Sequence, residues 1–431
     1  MSELVDGAII EDAIEERFQL RNSFVFLANT ALAYLIAPVS YVGVLHAAIL
    51  DSLQASDTVA NLPEAVFLWV APLPVLAAWL WPSPRLLRPM LTSCLLANGA
   101  AGGLLALLFL TAPGGWLIPT LIVHAAVIGV TNGVRNMCLW ELIGRGLSPA
   151  ARARTLGWTF GIGPLFAVLG SCISQLVLSG EFLGLAPFRP PPAPWNYAIL
   201  FGATCPVMWL SAALVRLAHV PAAAEGDAGA RLADVARGLR AYFLNPLIVA
   251  AALGFLLTYG GTMIMNNVSL YAREALGEPP EKYAGLQLAL RFGFKCLAGF
   301  ALGWLVTKIH AKASLMATTA VCIAGVAWAW LVPGKWYLLS FGLLGAGELF
   351  YVYYLNYIVG CSSPQRIRQN TAYTNLLTVL VGWLPLLFGL ASDHYGLRFS
   401  FGLAIGILTT GLAIVAICLP REPRAPDAEG A

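Results

Sequence analysis

The chain has 431 residues, 59% of them hydrophobic and 11% charged, with a net charge of +3 and a mean hydropathy of +0.75. A soluble domain is about 45–50% apolar and about 25% charged, so a water-soluble fold of this length could not cover its surface. Soluble enzyme and disordered scaffold are excluded, and so small a net charge gives no basic footprint for nucleic acid. An integral membrane protein is expected.

Taken in chain order, the amino terminus Met1–Arg21 is acidic and amphipathic and lacks a basic stretch followed by an apolar core. No cleaved signal peptide is expected, and insertion would rely on the first span. A helix needs about 20 mostly apolar residues to cross the hydrocarbon. Uncharged runs cover 22–50, 65–84, 89–134, 155–180, 190–215, 241–272, 313–334, 369–392 and 399–420. The run 89–134 divides at Thr111–Trp116, a strong turn signal, and its second half continues through Arg135 to about 141. Two further spans, about 283–307 and 336–360, are interrupted by Arg291 and Lys295 and by Glu348. These make twelve spans.

Between spans six and seven lies the longest polar stretch. Its second part, Ala230–Arg240, places Leu232, Val235, Ala236 and Leu239 at helical spacing, as in an amphipathic helix on the membrane surface. The expected organisation is a terminal segment over 1–21, a six-helix bundle over 22–219, a linker with its surface helix over 220–243, a second bundle over 244–420 and a tail over 421–431. With both termini inside, the outer loops hold only Arg189, Arg273, Lys282, Lys335 and Arg398. The inner segments hold most of the remaining Lys and Arg, which predicts cytoplasmic termini. The eight cysteines are scattered without metal-ligand spacing, and buried, inert thiols are expected.

Several loops carry motifs. Gly389-Leu-Ala-Ser-Asp393-His-Tyr-Gly396-Leu-Arg398 follows span eleven, and Gly303–Lys312, ending in Lys308-Ile-His-Ala-Lys312, follows span eight in the same frame without its Asp and second Gly. Gly161-Ile-Gly163-Pro164 with Gly170 lies in span five. Ser148–Arg154 and Ser363–Arg368 occupy equivalent loops of the two halves, and Trp81–Arg88 keeps basic residues in the loop after span two. Together with the 6 + 6 arrangement, these residues resemble the major facilitator superfamily over about 22–420. The resemblance implies an all-α polytopic membrane protein of twelve transmembrane helices in two six-helix bundles. It also implies transport by rocking of the bundles around a midplane site, with the first and fourth helix of each half lining the cavity. Asp393, Gly396, Arg398, Lys308 and Lys312 fall on its gating loops.

An ionisable residue within a span costs a few kcal/mol and usually faces a cavity or a partner. Span four places His124, Thr131 and Arg135 on one helical face, with Asn132 nearby. A guanidinium there suits a carboxylate or phosphate, with snorkelling as the structural alternative. Span eight sets Gln287, Arg291 and Lys295 in one stripe. The two cations, one turn apart, require an anion, although Arg291 lies near enough to the outer interface to snorkel. Span ten holds Glu348 near the midplane within a tyrosine-rich run containing Tyr351 and Asn356. It reads as the only carboxylate at this depth. Glu348 is expected to exchange a proton and to pair with Arg135 or Lys295, or else to form a static ion pair. Tyr259 and Asn266 of span seven and Tyr34 of span one complete the candidate substrate-binding set. Three deep cations against one carboxylate favour an anionic ligand.

The expected function is secondary active transport of a small polar solute, an organic anion, by alternating access with coupling to protons. Alternatives are an exporter of amphipathic or drug-like compounds and a non-transporting receptor on the same fold. No Walker A motif and no catalytic cluster is present in the sequence. No cofactor, metal or nucleic acid is expected, and the expected state is a monomer in the cytoplasmic (inner) membrane, contacting lipid.

Overall fold

A computed structural model describes residues 16–74, 86–183, 185–186, 189–219, 232–362 and 366–424. Residues 1–15, the later part of the expected span two with the start of the loop after it (75–85), 184, 187 and 188, much of the linker (220–231), 363–365 and the end of the tail (425–431) lie outside them. The described chain is helical, with one isolated β-bridge between Phe182 and Leu185. Nine helical stretches among the described residues are long and apolar enough to cross a bilayer. Of the other three expected spans, span one is interrupted, the described helix of span two is Asp57–Val70, and span eight, Ala284–Lys308, has its side chains described only in part.

Local chemistry places the boundaries. Pro113 separates Leu87–Thr111 from Gly114–Gly146 at the expected turn. The Ser148 hydroxyl accepts from Ala151 N to start Pro149–Ser179, and Gly180, at φ +71°, ends it. Trp195–Val215 completes six spans. The surface helix occupies Leu232–Leu244, and the Asn245 side chain then accepts from Leu247 N and Ile248 N to start span seven. Span eight is Ala284–Lys308 and span nine Ala311–Leu331; span twelve is Leu397–Cys418.

Among the described residues, spans one, seven, ten and eleven are broken rather than continuous. Span one runs Glu16–Leu35, Ala37–Ser40 and Val44–Ser52, with Pro38 removing one backbone donor and Gly43 at φ +151° in the gap. Span seven runs Pro246–Thr262, Met265–Leu270 and Ala272–Leu276. Span ten divides at Glu348 and Leu349 between Leu339–Gly347 and Phe350–Gly360. Span eleven passes through a tight 3₁₀ turn, Thr378–Gly382, between Ile367–Leu377 and Trp383–Tyr395. Backbone groups freed within a bilayer must find other partners, so each break marks a place where polar contacts are concentrated.

The cores are distributed unevenly between the two membrane faces. At the face that carries the described ends of the chain, here the near face, each half has its own cluster. Val25, Leu91, Leu142 and Val215 anchor one, and Tyr242, Phe255, Tyr354 and Val415 the other. Toward the far face one cluster runs across both halves, from Leu45, Ile49 and Ala60 to Val268, Phe292 and Phe388. The halves therefore share an apolar core at the far face and keep separate ones at the near face.

Candidate functional site

Span eight delivers Arg291 and Lys295 from one stripe, and span ten delivers Glu348 from its break. The approach is close because Gly345 lacks a side chain: a Cβ there would stand 2.1 Å from the carbonyl oxygen of Arg291. Glu348 accepts from Arg291 through Oε1, and from Lys295 Nζ through Oε2 at 3.2 Å. The anion that two stacked cations required is thus Glu348. Arg291 turns inward to this carboxylate and lies over the Tyr41 ring, 5.0 Å from its centroid, instead of snorkelling outward. All three members of the triad belong to the second half.

Arg135 sits apart from them, buried in the first half. Its Nη2 donates to Asn29 O at 3.4 Å, while its Nε has no partner. Among the described residues no carboxylate contacts it. Of the two partners expected for Glu348, Lys295 is in place and Arg135 is not. Tyr34 stands between the two sets, within electrostatic range of both Arg135 and Lys295. The rings of Tyr34 and Tyr41 both meet Phe292 edge-on, at 6.1 and 5.8 Å.

The remaining candidates divide by position. His124 is buried with its Nδ1 3.3 Å from His46 Nε2, and both rings pack on Phe201. The face shared by His124 and Thr131 therefore looks into the first bundle, where the Thr131 hydroxyl accepts from Asn98. Asn132 is half-buried and Asn356 exposed. Tyr259 packs on Phe350 and Tyr351, and Tyr351 donates to Asn375 at 2.6 Å. Tyr354 and Tyr357 are consumed by packing, with hydroxyls bonded to Thr258 and Thr319 and to Pro420 O.

The far face is closed by polar contacts between the halves. Asp393 accepts from Asp57 N at 2.8 Å, Thr58 N at 3.1 Å and the Thr58 hydroxyl at 2.6 Å, so it caps the start of span two. Gly396, at φ +85°, turns the chain after it. Arg398 donates to the Tyr271 hydroxyl and lies over its ring. Arg273 binds Asp51 and, at 2.5 Å, Asp57. Gln175 donates to Lys282 O at 2.6 Å and accepts from Leu286 N at 2.8 Å, and Tyr197 donates to Glu281. In the adjoining loop, a hydrogen bond from Lys282 holds the Glu278 carboxyl below its usual range. Lys308 and Lys312 lie at the near face instead. Lys308 is exposed, while Lys312 donates to Ala416 O and Leu419 O at the end of span twelve. These hydrogen bonds and ion pairs between the halves lie in the far-face portion.

One residue of this layer was not anticipated from the sequence. Glu64 lies inside the helix of span two, and its Oε2 accepts from Asn266 Nδ2, across the boundary between halves, at 2.7 Å. Glu348 is therefore not the only deep carboxylate. Glu64 had marked the edge of an uncharged run, so it read as a loop charge. Its seven-residue distance from the cap at Asp57 corresponds to about 10 Å of helix.

No protein-family model matches the sequence, and no curated protein resembles it in sequence. Solved structures do share its fold. A mutant of the nucleoside transporter NupG superposes with a TM-score of 0.69 at 11% identity, covering 93% of this chain and 100% of that one. The xylose transporter XylE from E. coli, in an inward-open conformation, gives 0.66 at 15% identity over 95% and 97%. A bacterial homologue of the human lysosomal transporter Spinster, inward-facing and unoccupied, gives 0.63 at 14% identity over 94% and 97%. The fold is that of major facilitator transporters, an all-α polytopic membrane protein.

Proposed function

We propose, from the premise of a major facilitator fold, that this chain is a secondary active transporter that moves a small organic anion by alternating access, coupled to protons. The observation that carries the reading is Arg135: a buried guanidinium with one long hydrogen bond and no carboxylate in contact among the described residues. Leaving a charge so placed without a partner is expensive, and a substrate carboxylate supplies the partner. The two cations of the second half, Arg291 and Lys295, already share one carboxylate. A proton arriving on Glu348 would neutralise it and free both cations for the substrate, so proton and anion would bind together. The candidate contacts are Arg135, Lys295 and Arg291, with Tyr34, Tyr259, Tyr351 and Asn132 as further candidates.

A shared far-face core with separate near-face cores supports an inward-facing conformation, given the predicted cytoplasmic termini in the inner membrane. The test is a thermal-shift screen of the purified protein against organic anions, sugars and cations at two pH values. It is followed by uptake of the hits into proteoliposomes. An anion should stabilise the wild type and lose that effect in Arg135→Gln; stabilisation by cations alone would overturn the charge reasoning. Glu348→Gln, compared per folded molecule, should lose gradient-driven accumulation and keep exchange. Unimpaired accumulation would remove Glu348 from the coupling step.

A further inference from the structure

We propose that Glu64 carries an exchangeable proton on Oε1, and that this proton, donated to Asn266 Oδ1, latches the two halves together toward the far face. The inference goes beyond the anion-transport reading and needs no substrate to be tested.

It begins with an oxygen that has no donor. Asn266 is almost fully buried, and its Oδ1 lacks a hydrogen-bond partner. Turning the amide over does not resolve this. Its Nδ2 donates to Glu64 Oε2 at 2.7 Å and to Asn61 Oδ1 at 3.2 Å, and both of those are acceptors. Asn61 is fixed in turn, because its Nδ2 donates to Asp57 O at 2.9 Å and to Asn267 Oδ1 at 2.7 Å. Asn267 is pinned by donation to Phe388 O, Ser392 Oγ and Ser400 Oγ. The orphaned oxygen is therefore set by its neighbours.

An oxygen of Glu64 approaches the same point. A Cβ built on Gly43 would lie 3.0 Å from Asn266 Oδ1 and 3.2 Å from Glu64 Oε1, so both converge on the glycine in the gap of span one. Gly43, at φ +151°, has the conformation and the bare flank that this convergence requires. Two acceptors brought toward one point repel, and Asn266 Oδ1 lacks the bond it could make. One proton on Oε1 converts the pair into a two-way acid–amide match, with N–H to Oε2 in one direction and O–H to Oδ1 in the other.

The surroundings supply no competing counter-ion in contact with Glu64 among the described residues. Arg291 and Glu348 lie within its electrostatic range from spans eight and ten, and Arg291 is already bonded to Glu348. Tyr259 of span seven also lies in range. Glu64 belongs to the first half and Asn266 to the second, so parting of the halves breaks both bonds of the match. The proton then passes from Oε1 to water on the opened side, leaving the carboxylate hydrated.

The experiment uses the full chain, without substrate, in lipid nanodiscs. Hydrogen–deuterium exchange of residues 57–61 and 266–271 is followed from acid to alkaline pH and corrected for the intrinsic rate. The wild type should exchange about tenfold faster at alkaline pH, the effect of one lost hydrogen bond. Glu64→Gln reproduces the protonated acid, with an amide N–H for Asn266 Oδ1 and a carbonyl for Nδ2. It should stay protected at every pH, whereas Glu64→Ala should be unprotected at every pH. Infrared difference spectra of the wild type should show a carboxylic-acid C=O band in the acid form that is absent from Glu64→Gln. A wild-type pH response that survives in Glu64→Gln, or the absence of that band, would overturn the proposal. Protection that follows sodium concentration at fixed pH would assign the site to a metal cation and overturn it equally.

Discussion

Arg273→Gln should shift the protein toward opening at the far face. Arg273 reaches across the halves to Asp51 and Asp57, and its side chain is 37% exposed while that of Asp57 is 7% exposed. The Asp51 contact, screened by solvent, contributes about 0.5 kcal/mol. The Asp57 contact matters more, because its loss strands a nearly buried carboxylate beside the Asp393 that caps the same helix; that costs about 1–3 kcal/mol. The sum, about 1.5–3.5 kcal/mol, corresponds to a shift of roughly 10- to 400-fold in the population open at this face. Hydrogen exchange at Asp57 and Thr58 reads it directly, since both amides donate to Asp393 in the closed form. Adding Asp57→Asn removes the stranded charge and should recover more than half of the lost protection, whereas adding Asp51→Asn should recover little. Exchange within twofold of the wild type in Arg273→Gln, or equal recovery from both second substitutions, would refute the assignment of this arginine as the main ionic tie.

Glu348→Gln leaves two cations one turn apart in a low-dielectric setting, which predicts a loss of about 3–5 kcal/mol. Thermal unfolding should show a large part of it restored by Lys295→Met. Gly345→Ala drives a methyl onto the backbone of Arg291, and overpacking of about 1–3 kcal/mol should appear as a lowered melting temperature. In the far-face loop, Lys282 lowers the Glu278 carboxyl, so their pairing stabilises above the unfolded Glu pKa and fades as pH falls through the lowered value. Lys282→Met should therefore abolish a small stability increment near neutrality and change nothing in strong acid.

Much of this was legible because topology and charge are coupled in a membrane. The break at Thr111–Trp116, the surface helix over Leu232–Leu244 and the Arg291–Lys295 stripe follow from periodicity and from the scarcity of charge. Glu64 was hidden by the same logic, since a carboxylate at the edge of an uncharged run looks like a loop residue. What revealed it is tertiary: the described helix of span two starts at Asp57, which carries Glu64 two turns into the fold. The His46–His124 pair was equally unreadable, because it joins spans one and four at ring distance, and sequence spacing within one helix says nothing of that. The break at Pro38 follows from the missing backbone donor of a proline, but the wider gap at Tyr41–Gly43 depends on a positive φ that only packing discloses.

The allocation of charge between the halves constrains how coupling can work. Rocking of two rigid bundles alters only the contacts between them. Glu348, Arg291 and Lys295 lie within one half, so the motion alone cannot break their triad. An exchange of Glu348 between Lys295 and Arg135, an economical mechanism on paper, would require partners on opposite sides of the moving boundary. The triad can be opened only by something that enters it, a proton on the carboxylate or an anion at the cations, which is what the proposed binding role requires of it. Glu64 with Asn266, and Arg273 with Asp51 and Asp57, do straddle the boundary and are the contacts that motion must break. On the proposed mechanism binding and gating therefore reside on different carboxylates, and a single substitution should uncouple one from the other.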